Sequence, residues 1–148
     1  MSRIMLIGAV GAGKSSLIRA LTDAERQTVK TQSLVYYDAL IDTPGEYTEN
    51  PLFYRSLMAT SHQAAAVLLV QDATRDRTGF PPGFAGGFPV PAIGAVTKLD
   101  HPEANTERAI GLLRQALPVG DIVLTSALSR LGIEEMRELL ARYGGQAK

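Results

Sequence analysis

The eight residues GAVGAGKS at positions 8–15 constrain this chain more than any other part of its sequence. They fit the pattern G-x-x-x-x-G-K-[ST], and a short apolar run, Ile4 to Ile7, precedes them. This pattern is typical of a loop between a strand and a helix, in which glycines let backbone N–H groups turn toward a phosphate. We therefore predict a strand, a phosphate-binding loop and a helix from about Ser15 to Leu21. Ser16 stands where a dinucleotide-binding fingerprint requires glycine or alanine, which excludes that alternative.

The expected ligand of this loop is a nucleoside triphosphate with Mg²⁺. Lys14 is expected to reach the β- and γ-phosphates as a point charge, and the Ser15 hydroxyl to ligate the metal. The residues expected to contact the nucleotide in this segment share a position in the loop or at the start of its helix. They are Gly8, Val10, Gly11, Ala12, Gly13, Lys14, Ser15 and Ser16.

Short apolar runs alternate with helical patterns along the rest of the chain, which predicts an α/β fold with a mostly parallel sheet. The expected strands after the first are Val35–Tyr37 and Ala39–Ile41 (a hairpin at the sheet edge), Ala65–Val70, Ala92–Val96 and Ile122–Leu124. The expected helices run from an Asn50-Pro51 start to about Ser61 with Leu57 and Met58 buried, between Glu103 and Leu117, and from Ile133 to Tyr143 with Gly144 as the stop.

Composition limits the domain count and several classes of site. A chain of 148 residues with 45% hydrophobic residues fits one nucleotide-binding domain over positions 1–148. Fifteen basic and 15 acidic residues balance, so charge gives no reason to expect nucleic acid or membrane as a partner. The chain has no cysteine, which excludes disulfides and thiolate metal sites. The longest apolar stretch, Ala64 to Val70, is too short to span a bilayer, so we expect a cytoplasmic protein.

The segment from Thr78 to Pro91 interrupts the alternation where a third crossover helix is expected. Its glycines and prolines disfavour a regular helix, although Phe80, Phe84 and Phe88 recur every four residues. We expect a loop whose phenylalanines plug the core, with a ligand lid or partner surface as the alternative.

A second motif, DTPG at positions 42–45, follows the strand candidate that ends at Ile41. Asp42 is the expected metal-site carboxylate, since an aspartate there can hold a Mg²⁺-bound water, and Gly45 lets its N–H contact the γ-phosphate without a clashing side chain. The polar segment from Asp23 to Ser33 lacks periodicity. Within it Thr31 is the leading candidate for a further Mg²⁺ ligand, with Thr28 as the competitor.

Two further motifs follow the last strands and predict a guanine-binding site. TKLD at positions 97–100 fits [NT]-K-x-D, in which the Asp100 carboxylate accepts from two guanine donors that adenine lacks, and the Lys98 stem covers the base. Thr97 ends the preceding strand. Ser126, Ala127 and Leu128 follow the last strand, where a small residue lets a backbone N–H approach the guanine oxygen.

The motifs in this order resemble those of the small Ras-like and TrmE-Era-like GTPases. GAVGAGKS, VKTQSLVYYD, IDTPGEY and the proline- and glycine-rich third-helix segment more closely resemble the EutP/PduV family, over essentially the whole chain. The resemblance implies a three-layer P-loop fold with a six-stranded, mostly parallel sheet, an antiparallel edge strand and a degenerate third helix. It also implies bound GTP or GDP and a link to ethanolamine and propanediol utilisation in bacterial microcompartments, with shell or enzyme proteins as partners.

Two departures from the GTPase pattern bear on activity. Glu46 stands where Ras-like proteins carry a water-orienting glutamine, and a carboxylate beside the γ-phosphate is repelled, so we expect slow hydrolysis. Gly11 replaces the asparagine that recruits K⁺ in TrmE-like proteins. The residues expected to act in hydrolysis are Lys14, Glu46, Gly45 and Thr31.

Three functions remain open at this point. The first is a GTP-binding protein with weak, Mg²⁺-dependent hydrolysis. The second is a small-molecule kinase that passes the γ-phosphoryl group to a carboxylate such as acetate, a role proposed within the EutP/PduV family. In it, Arg75 or Arg77 could bind the acceptor or the transferring group. The third is a nucleotide-binding assembly module without turnover.

We expect His62 and His101 at the surface and the charged cluster Asp72–Arg77 in a solvated loop. The oligomeric state is left open.

Overall fold

The computed structural model describes residues 3–22, 29–31, 34–37 and 39–145. Its strands are β1 (Arg3–Ile7), β2 (Val29–Thr31), β3 (Leu34–Tyr36), β4 (Leu40–Asp42), β5 (Ala64–Asp72), β6 (Ala92–Thr97) and β7 (Ile122–Leu124). Its helices are α1 (Lys14–Thr22), α2 (Gly45–Glu49), α3 (Tyr54–Ser61), α4 (Thr106–Ala116) and α5 (Ile133–Leu140). Short 3₁₀ turns occupy Pro51–Phe53 and Phe84–Gly87, and a π turn, Ala141–Gly145, continues α5.

Within the described residues the strands form one sheet in the order β2-β3-β4-β1-β5-β6-β7. β1 pairs in parallel with β4 and β5, β6 pairs in parallel with β5 and β7, and β3 is antiparallel to both β2 and β4. The predicted α/β class and the mostly parallel sheet are confirmed. The predicted hairpin forms, but β4 lies inside the sheet beside β1, and the additional short strand β2 lies at the edge.

Both faces of the central strands are covered, which explains why their sequences are apolar without alternation. Along β1, Ile4 and Leu6 face a core that includes α1 and α5, whereas Met5 and Ile7 face a second core that includes α3 and α4. The result is three layers, helices on either side of one sheet.

Helix α4 approaches the sheet closely because β6 carries a glycine. A Cβ added at Gly94 would lie 2.8 Å from Leu113 Cδ2 and 3.0 Å from Leu117 Cδ2. Leu113 and Leu117 are buried as the periodicity predicted, while Ile110 is only partly buried. The helix begins at Thr106, where the Asn105 side chain accepts from the Arg108 N–H at 3.0 Å. Asn105 is therefore an N-cap.

The segment expected to replace the third crossover helix is a loop around the 3₁₀ turn Phe84–Gly87. Its three phenylalanines, Phe80, Phe84 and Phe88, are each 7% exposed or less. The Phe84 and Phe88 rings meet edge to face at 5.2 Å, and the Gly83 N–H donates to the Gln115 carbonyl at the end of α4. The expectation of a degenerate helix plugged by phenylalanines is confirmed.

The helix expected from Pro51 to Ser61 differs in its first turn. Asn50 caps it by accepting from the Leu52 N–H at 3.0 Å, but the first turn is a 3₁₀ turn and the α-helix begins at Tyr54. Leu57 is buried, whereas Met58 is only partly so.

None of the helices in the described ranges is long and apolar enough to serve as a membrane span.

Candidate functional site

The predicted motifs meet at the carboxyl ends of the parallel strands, as expected for ligand sites in such sheets. A groove of about 500 Å³ is lined by residues 10–16, by residues 42–46 and by Lys98. A separate cleft of about 160 Å³ is lined in part by Ser16, Thr97, Lys98 and Asp100. The groove and the cleft share the first turn of α1 and Lys98, so they have the arrangement needed for the phosphates and the base of one ligand.

The phosphate loop turns sharply at two glycines before α1. Gly11 and Gly13 adopt φ values of +80° and +98°, which side-chain-bearing residues rarely reach. The Lys14 ammonium donates to the Gly8 carbonyl at 2.9 Å, which folds this side chain back over the loop. Positive-φ glycines followed by a helix N-terminus make an anion-binding concavity.

Lys14 is a buried cation in this concavity, with only 7% of the residue exposed. Burial lowers the pKa of its ammonium, although nearby carboxylates oppose the shift; these are Asp42, Glu46 and Glu49. A triphosphate would add the negative charge that a buried ammonium needs, so the site favours an anionic ligand.

Asp42 ends β4 and lies beside the phosphate loop. Burial raises the pKa of its carboxyl group, and the Lys14 charge offsets only part of this shift. Its Oδ1 atom is buried and has no hydrogen-bond partner among the described residues. A buried carboxylate oxygen without a partner is costly, so this atom is suited to accept a ligand that supplies a positive charge or a donor.

The oxygen donors at this position fit Mg²⁺. Ser15, predicted as a ligand, is exposed in the first turn of α1, and both Ser15 and Asp42 line the groove. Mg²⁺ prefers hard oxygen ligands and takes few of them from the protein when phosphates are bound. Among the described residues, no group of three or more histidine, cysteine, aspartate or glutamate side chains is placed to hold a metal ion.

Gly45 begins α2 directly against the phosphate loop. A Cβ at this position would lie 2.6 Å from the Val10 Cα, so only glycine fits. The Val10 N–H donates to a Glu49 carboxylate oxygen at 2.9 Å, which ties the end of α2 to the loop. Glu46 is exposed and lines the groove.

The remaining Mg²⁺ candidates fall outside the description of side chains. The backbone of Thr31 ends β2, but its side chain lies outside the described part of the chain, and Thr28 lies outside the described residues altogether. The role expected for Thr31 therefore stays a prediction.

The cleft expected to bind the base is shaped by β6 and by the loop after β7. The Ser126 hydroxyl donates to an Asp100 carboxylate oxygen at 2.6 Å, and Ser126 is fully buried. This contact joins the two motifs that were predicted separately. Ala127 lines the cleft, and Leu128 lines it while 85% exposed.

Thr97 and Lys98 link this cleft to the phosphate loop. The Thr97 hydroxyl donates to the Ala12 carbonyl at 2.6 Å, and the Lys98 ammonium donates to the Gly11 carbonyl at 2.8 Å. Lys98 adopts a φ of +66°, one of two positive values among non-glycine residues in the described ranges. Such a strained conformation is retained at sites where function requires it.

Three residues contact this site in ways that the sequence analysis did not predict. Asp72 was expected in a solvated loop, but it is 3% exposed and bonds Lys98, which corrects that expectation. Arg75 was considered only as an acceptor ligand, but it donates to the Val10 carbonyl at 3.0 Å. Glu49 was not singled out. Asp72 is the last residue of β5, and its place at the end of an apolar strand was the available signal, whereas no local pattern marks Glu49. His62 and His101 are exposed as expected.

Comparisons with known proteins identify relatives in sequence and neighbours in fold. The chain is 40% identical over 139 residues to the propanediol utilization protein PduV of Citrobacter freundii, covering 92% of this chain and 91% of the relative. It is 35% identical over 115 residues to the protein named probable acetate kinase EutP of Salmonella typhimurium, covering 76% and 72%.

Among solved structures, the G domain of the T. maritima FeoB iron transporter matches with a TM-score of 0.63 at 22% identity, covering 97% of this chain and 98% of that one. The cytosolic domain of the same transporter in its GMPPNP form matches with a TM-score of 0.60 at 21% identity, covering 100% and 65%. These likenesses show that the fold is that of a GTPase G domain. A family model described as ethanolamine utilisation - propanediol utilisation matches residues 1–142, so the chain belongs to the PduV-EutP family.

Proposed function

We propose that this chain binds GTP with Mg²⁺ and hydrolyses it slowly, in the context of propanediol or ethanolamine utilisation. The observation that carries the proposal is the junction of two sites. A phosphate loop with a buried ammonium and an unpartnered Asp42 oxygen lies next to a cleft in which Ser126 holds the Asp100 carboxylate. The GMPPNP form of the structurally similar transporter domain supports a guanine nucleotide as the ligand.

At the phosphate end, Lys14 and the loop amides bind the β- and γ-phosphates, and the Gly45 N–H contacts the γ-phosphate. Ser15, Asp42 and Thr31 hold Mg²⁺. When bound, the metal offsets the charge on the phosphate oxygens. The buried Lys14 ammonium adds a fixed charge to the same oxygens at no cost of reorganisation.

At the base end, Asp100 discriminates between purines. Its carboxylate accepts hydrogen bonds from the N1–H and the 2-amino group of guanine, neither of which adenine offers. Ser126 donates to one oxygen and fixes the carboxylate plane. A wrong base leaves a charged acceptor unpaired, which costs about 1–3 kcal/mol or more.

The base assignment is tested by calorimetric titration with GTP, ATP and XTP in Mg²⁺. The wild type should prefer GTP to ATP by tenfold or more, on the order of the cost above. Asp100→Asn should shift the preference from GTP toward XTP, because an amide donor suits the 2-carbonyl of xanthine. Asp121→Asn, an exposed carboxylate before β7, is the control and should bind as the wild type does. Equal affinity for GTP and ATP in the wild type contradicts the role of Asp100.

Slow hydrolysis follows from Glu46, which lines the groove near the expected γ-phosphate. A carboxylate there repels the phosphate and does not orient a water molecule as an amide does. Single-turnover release of phosphate should be slower than the intrinsic rate of Ras, about 3–5 × 10⁻⁴ s⁻¹. A faster rate contradicts this part of the proposal, and Glu46→Gln should raise the rate.

Phosphoryl transfer to a carboxylate is the second candidate, because a relative covering 76% of this chain is named a probable acetate kinase. Adding acetate to the Mg²⁺-nucleotide complex and assaying acetyl phosphate tests it directly. Arg75, considered as an acceptor ligand, is not among the residues that line the groove, and its guanidinium donates to the Val10 carbonyl at 3.0 Å, which disfavours that role. Nucleotide binding with neither phosphate release nor acetyl phosphate would instead favour an assembly module.

Microcompartment shell or enzyme proteins are the partners we propose from the family description. Cells that use propanediol or ethanolamine provide the test. A fluorescently tagged chain should co-localise with microcompartments there, and a uniformly cytoplasmic signal contradicts the association.

A further inference from the structure

Two cations that lie after neighbouring strands hold the backbone of the phosphate loop. The Lys98 ammonium donates to the Gly11 carbonyl at 2.8 Å, and the Arg75 guanidinium donates to the Val10 carbonyl at 3.0 Å. The two contacts fix the orientation of two successive peptide units of the loop. Because the carbonyl and the N–H of one peptide unit move together, they also fix the loop backbone that is expected to surround the anion.

Asp72 is the anion that these two cations share. Its Oδ2 lies 2.9 Å from the Lys98 Nζ and 3.7 Å from the Arg75 Nε. Its Oδ1 accepts from the Thr74 N–H at 2.8 Å and from the Thr74 hydroxyl at 2.7 Å. With only 3% of the residue exposed and both oxygens bonded, the carboxylate is fixed in one orientation.

The ionised form of Asp72 is retained despite its burial. Burial alone disfavours the charge, but the hydrogen bonds from Lys98 and Thr74 outweigh it and lower the pKa of the carboxyl group. Asp72 is therefore charged at neutral pH and supplies a full negative charge to Lys98. The Lys98 and Arg75 side chains are similarly exposed, at 39% and 44%, but the Lys98 contact is shorter, 2.9 Å against 3.7 Å, so Lys98 is the stronger partner.

We propose that Asp72 is a positioning residue for nucleotide binding. It holds Lys98 on the phosphate loop before a ligand arrives and so prepares the loop and the base cleft together. Asp72 lines neither the groove nor the base cleft, so it acts only through Lys98 and, more weakly, Arg75. This inference rests on the GTP-binding function proposed above.

The physical advantage is preorganisation. A lysine side chain has four rotatable bonds and loses much rotamer freedom when it is ordered. If Asp72 orders Lys98 in the free protein, that cost is met during folding and not during binding. Neutral asparagine at position 72 keeps the size of the side chain but loses the charge.

A double-mutant cycle between Asp72 and Lys98 tests the inference by calorimetry with Mg²⁺-GTP. Asp72→Asn alone should raise the Kd about tenfold, the effect of losing one charged hydrogen bond. In a Lys98→Met background the same change should alter the Kd by less than about twofold, because the residue that Asp72 positions is gone. Asp76→Asn is the matched control in the same loop, since its contact with Arg77 is exposed.

The cycle separates positioning from a general loss of structure. If the two effects add in the double variant, or if Asp72→Asn binds as Asp76→Asn does, the inference is wrong while the proposed function stands. A wild type that does not bind GTP at all overturns the proposed function, and the inference with it. The wild-type titration is therefore performed first.

A second variant keeps the test decisive if Asp72→Asn does not fold. Thr74→Val removes the hydroxyl that donates to Asp72 while leaving the charge and the backbone bond in place. It should raise the Kd for Mg²⁺-GTP about twofold to threefold, as expected for one neutral hydrogen bond, and have no effect in the Lys98→Met background. An equal effect in both backgrounds overturns the inference.

Discussion

At the scale of single residues, the site holds opposite charges that are each strained by burial. Burial lowers the pKa of Lys14 and raises the pKa of Asp42, although the two groups attract each other. Neither charge is therefore fully stabilised by the other. Burying these two groups costs folding stability, and it leaves an anion-binding cation and a cation-binding carboxylate in place before a ligand arrives.

Asp42→Asn should stabilise the nucleotide-free protein at neutral pH. A carboxyl group whose folded pKa is raised destabilises the fold once it ionises, so the wild type loses stability as pH rises from the unfolded pKa of 3.8 through the raised folded pKa. The variant lacks this loss. Urea unfolding at a series of pH values from 3.5 to neutral should show the difference growing with pH and then levelling. A constant difference across this range contradicts the assignment.

Gly45→Ala should destabilise the chain by about 1–3 kcal/mol, the usual cost of overpacking. The added Cβ would lie 2.6 Å from the Val10 Cα, and backbone must move to accept it. The Val10–Glu49 hydrogen bond at 2.9 Å is expected to break as α2 moves away. Urea unfolding measures the cost, and GTP affinity should fall with it.

Gly111→Ala is the control, because α4 leaves open space at that position. Alanine there should raise the free energy of unfolding by about 0.5–1 kcal/mol through helix propensity alone. If both glycine variants shift the free energy of unfolding in the same direction, the close approach to Val10 does not explain why position 45 is glycine.

At the scale of elements, the loop of residues 78–91 takes the place of a helix on one face of the sheet. Its phenylalanine rings pack on each other and on Tyr54, which is tilted against Phe84 at 5.2 Å. The loop lacks the regular backbone hydrogen bonds of a helix, so the packing of these few aromatic side chains holds it against the sheet.

Phe84→Ala should cost about 3–5 kcal/mol in the free energy of unfolding, as for other buried phenylalanines. Phe84→Leu should cost less, because most of the volume is kept. Leu52→Ala is the surface control, since Leu52 is 86% exposed and should shift stability by no more than about 0.5 kcal/mol.

The same variants distinguish a core plug from a ligand lid. If the loop only plugs the core, the folded Phe84→Leu variant should bind GTP as tightly as the wild type does. A marked loss of affinity in that stable variant would show that the loop closes over the ligand.

At the scale of the whole molecule, two cores lie on opposite faces of the same strands. Residues of β1 alternate between them, and both cores include residues of β5 and β6. Neither core keeps its shape if the central strands separate. We propose on this basis that residues 1–148 fold as one domain.

This arrangement predicts one cooperative unfolding transition for the chain. Far-ultraviolet circular dichroism should follow the backbone and near-ultraviolet dichroism the tyrosines, because the sequence has no tryptophan. The two signals should coincide in urea, and Mg²⁺-GTP at one hundred times its Kd should add about 2.7 kcal/mol. Separate midpoints for the two signals would contradict a single unit.

The sequence alone determined much of this protein because its motifs carry local requirements. Glycine at positions 11 and 13 is needed for positive φ, and unbroken apolar runs are needed for strands covered on both faces. These features predicted the phosphate loop, most of the strands and helices in their order, and the loop of phenylalanines. The strand β2, in a segment expected to be a loop, and the short helix α2 were not predicted. Boundaries such as the 3₁₀ start at Pro51 were missed because capping specifies a start but not the type of its first turn.

Only the tertiary structure decided which separate segments meet. Asp72 and Lys98 are 26 positions apart, and Val10 and Glu49 are 39 apart, so no local pattern links them. Their contacts arise because parallel strands bring their carboxyl ends to one edge, where side chains from distant segments share a small volume. Burial raises the pKa of Asp42, and hydrogen bonds that outweigh burial lower the pKa of Asp72. Both burial and the Lys98 contact depend on that packing and cannot be read from neighbouring residues along the chain.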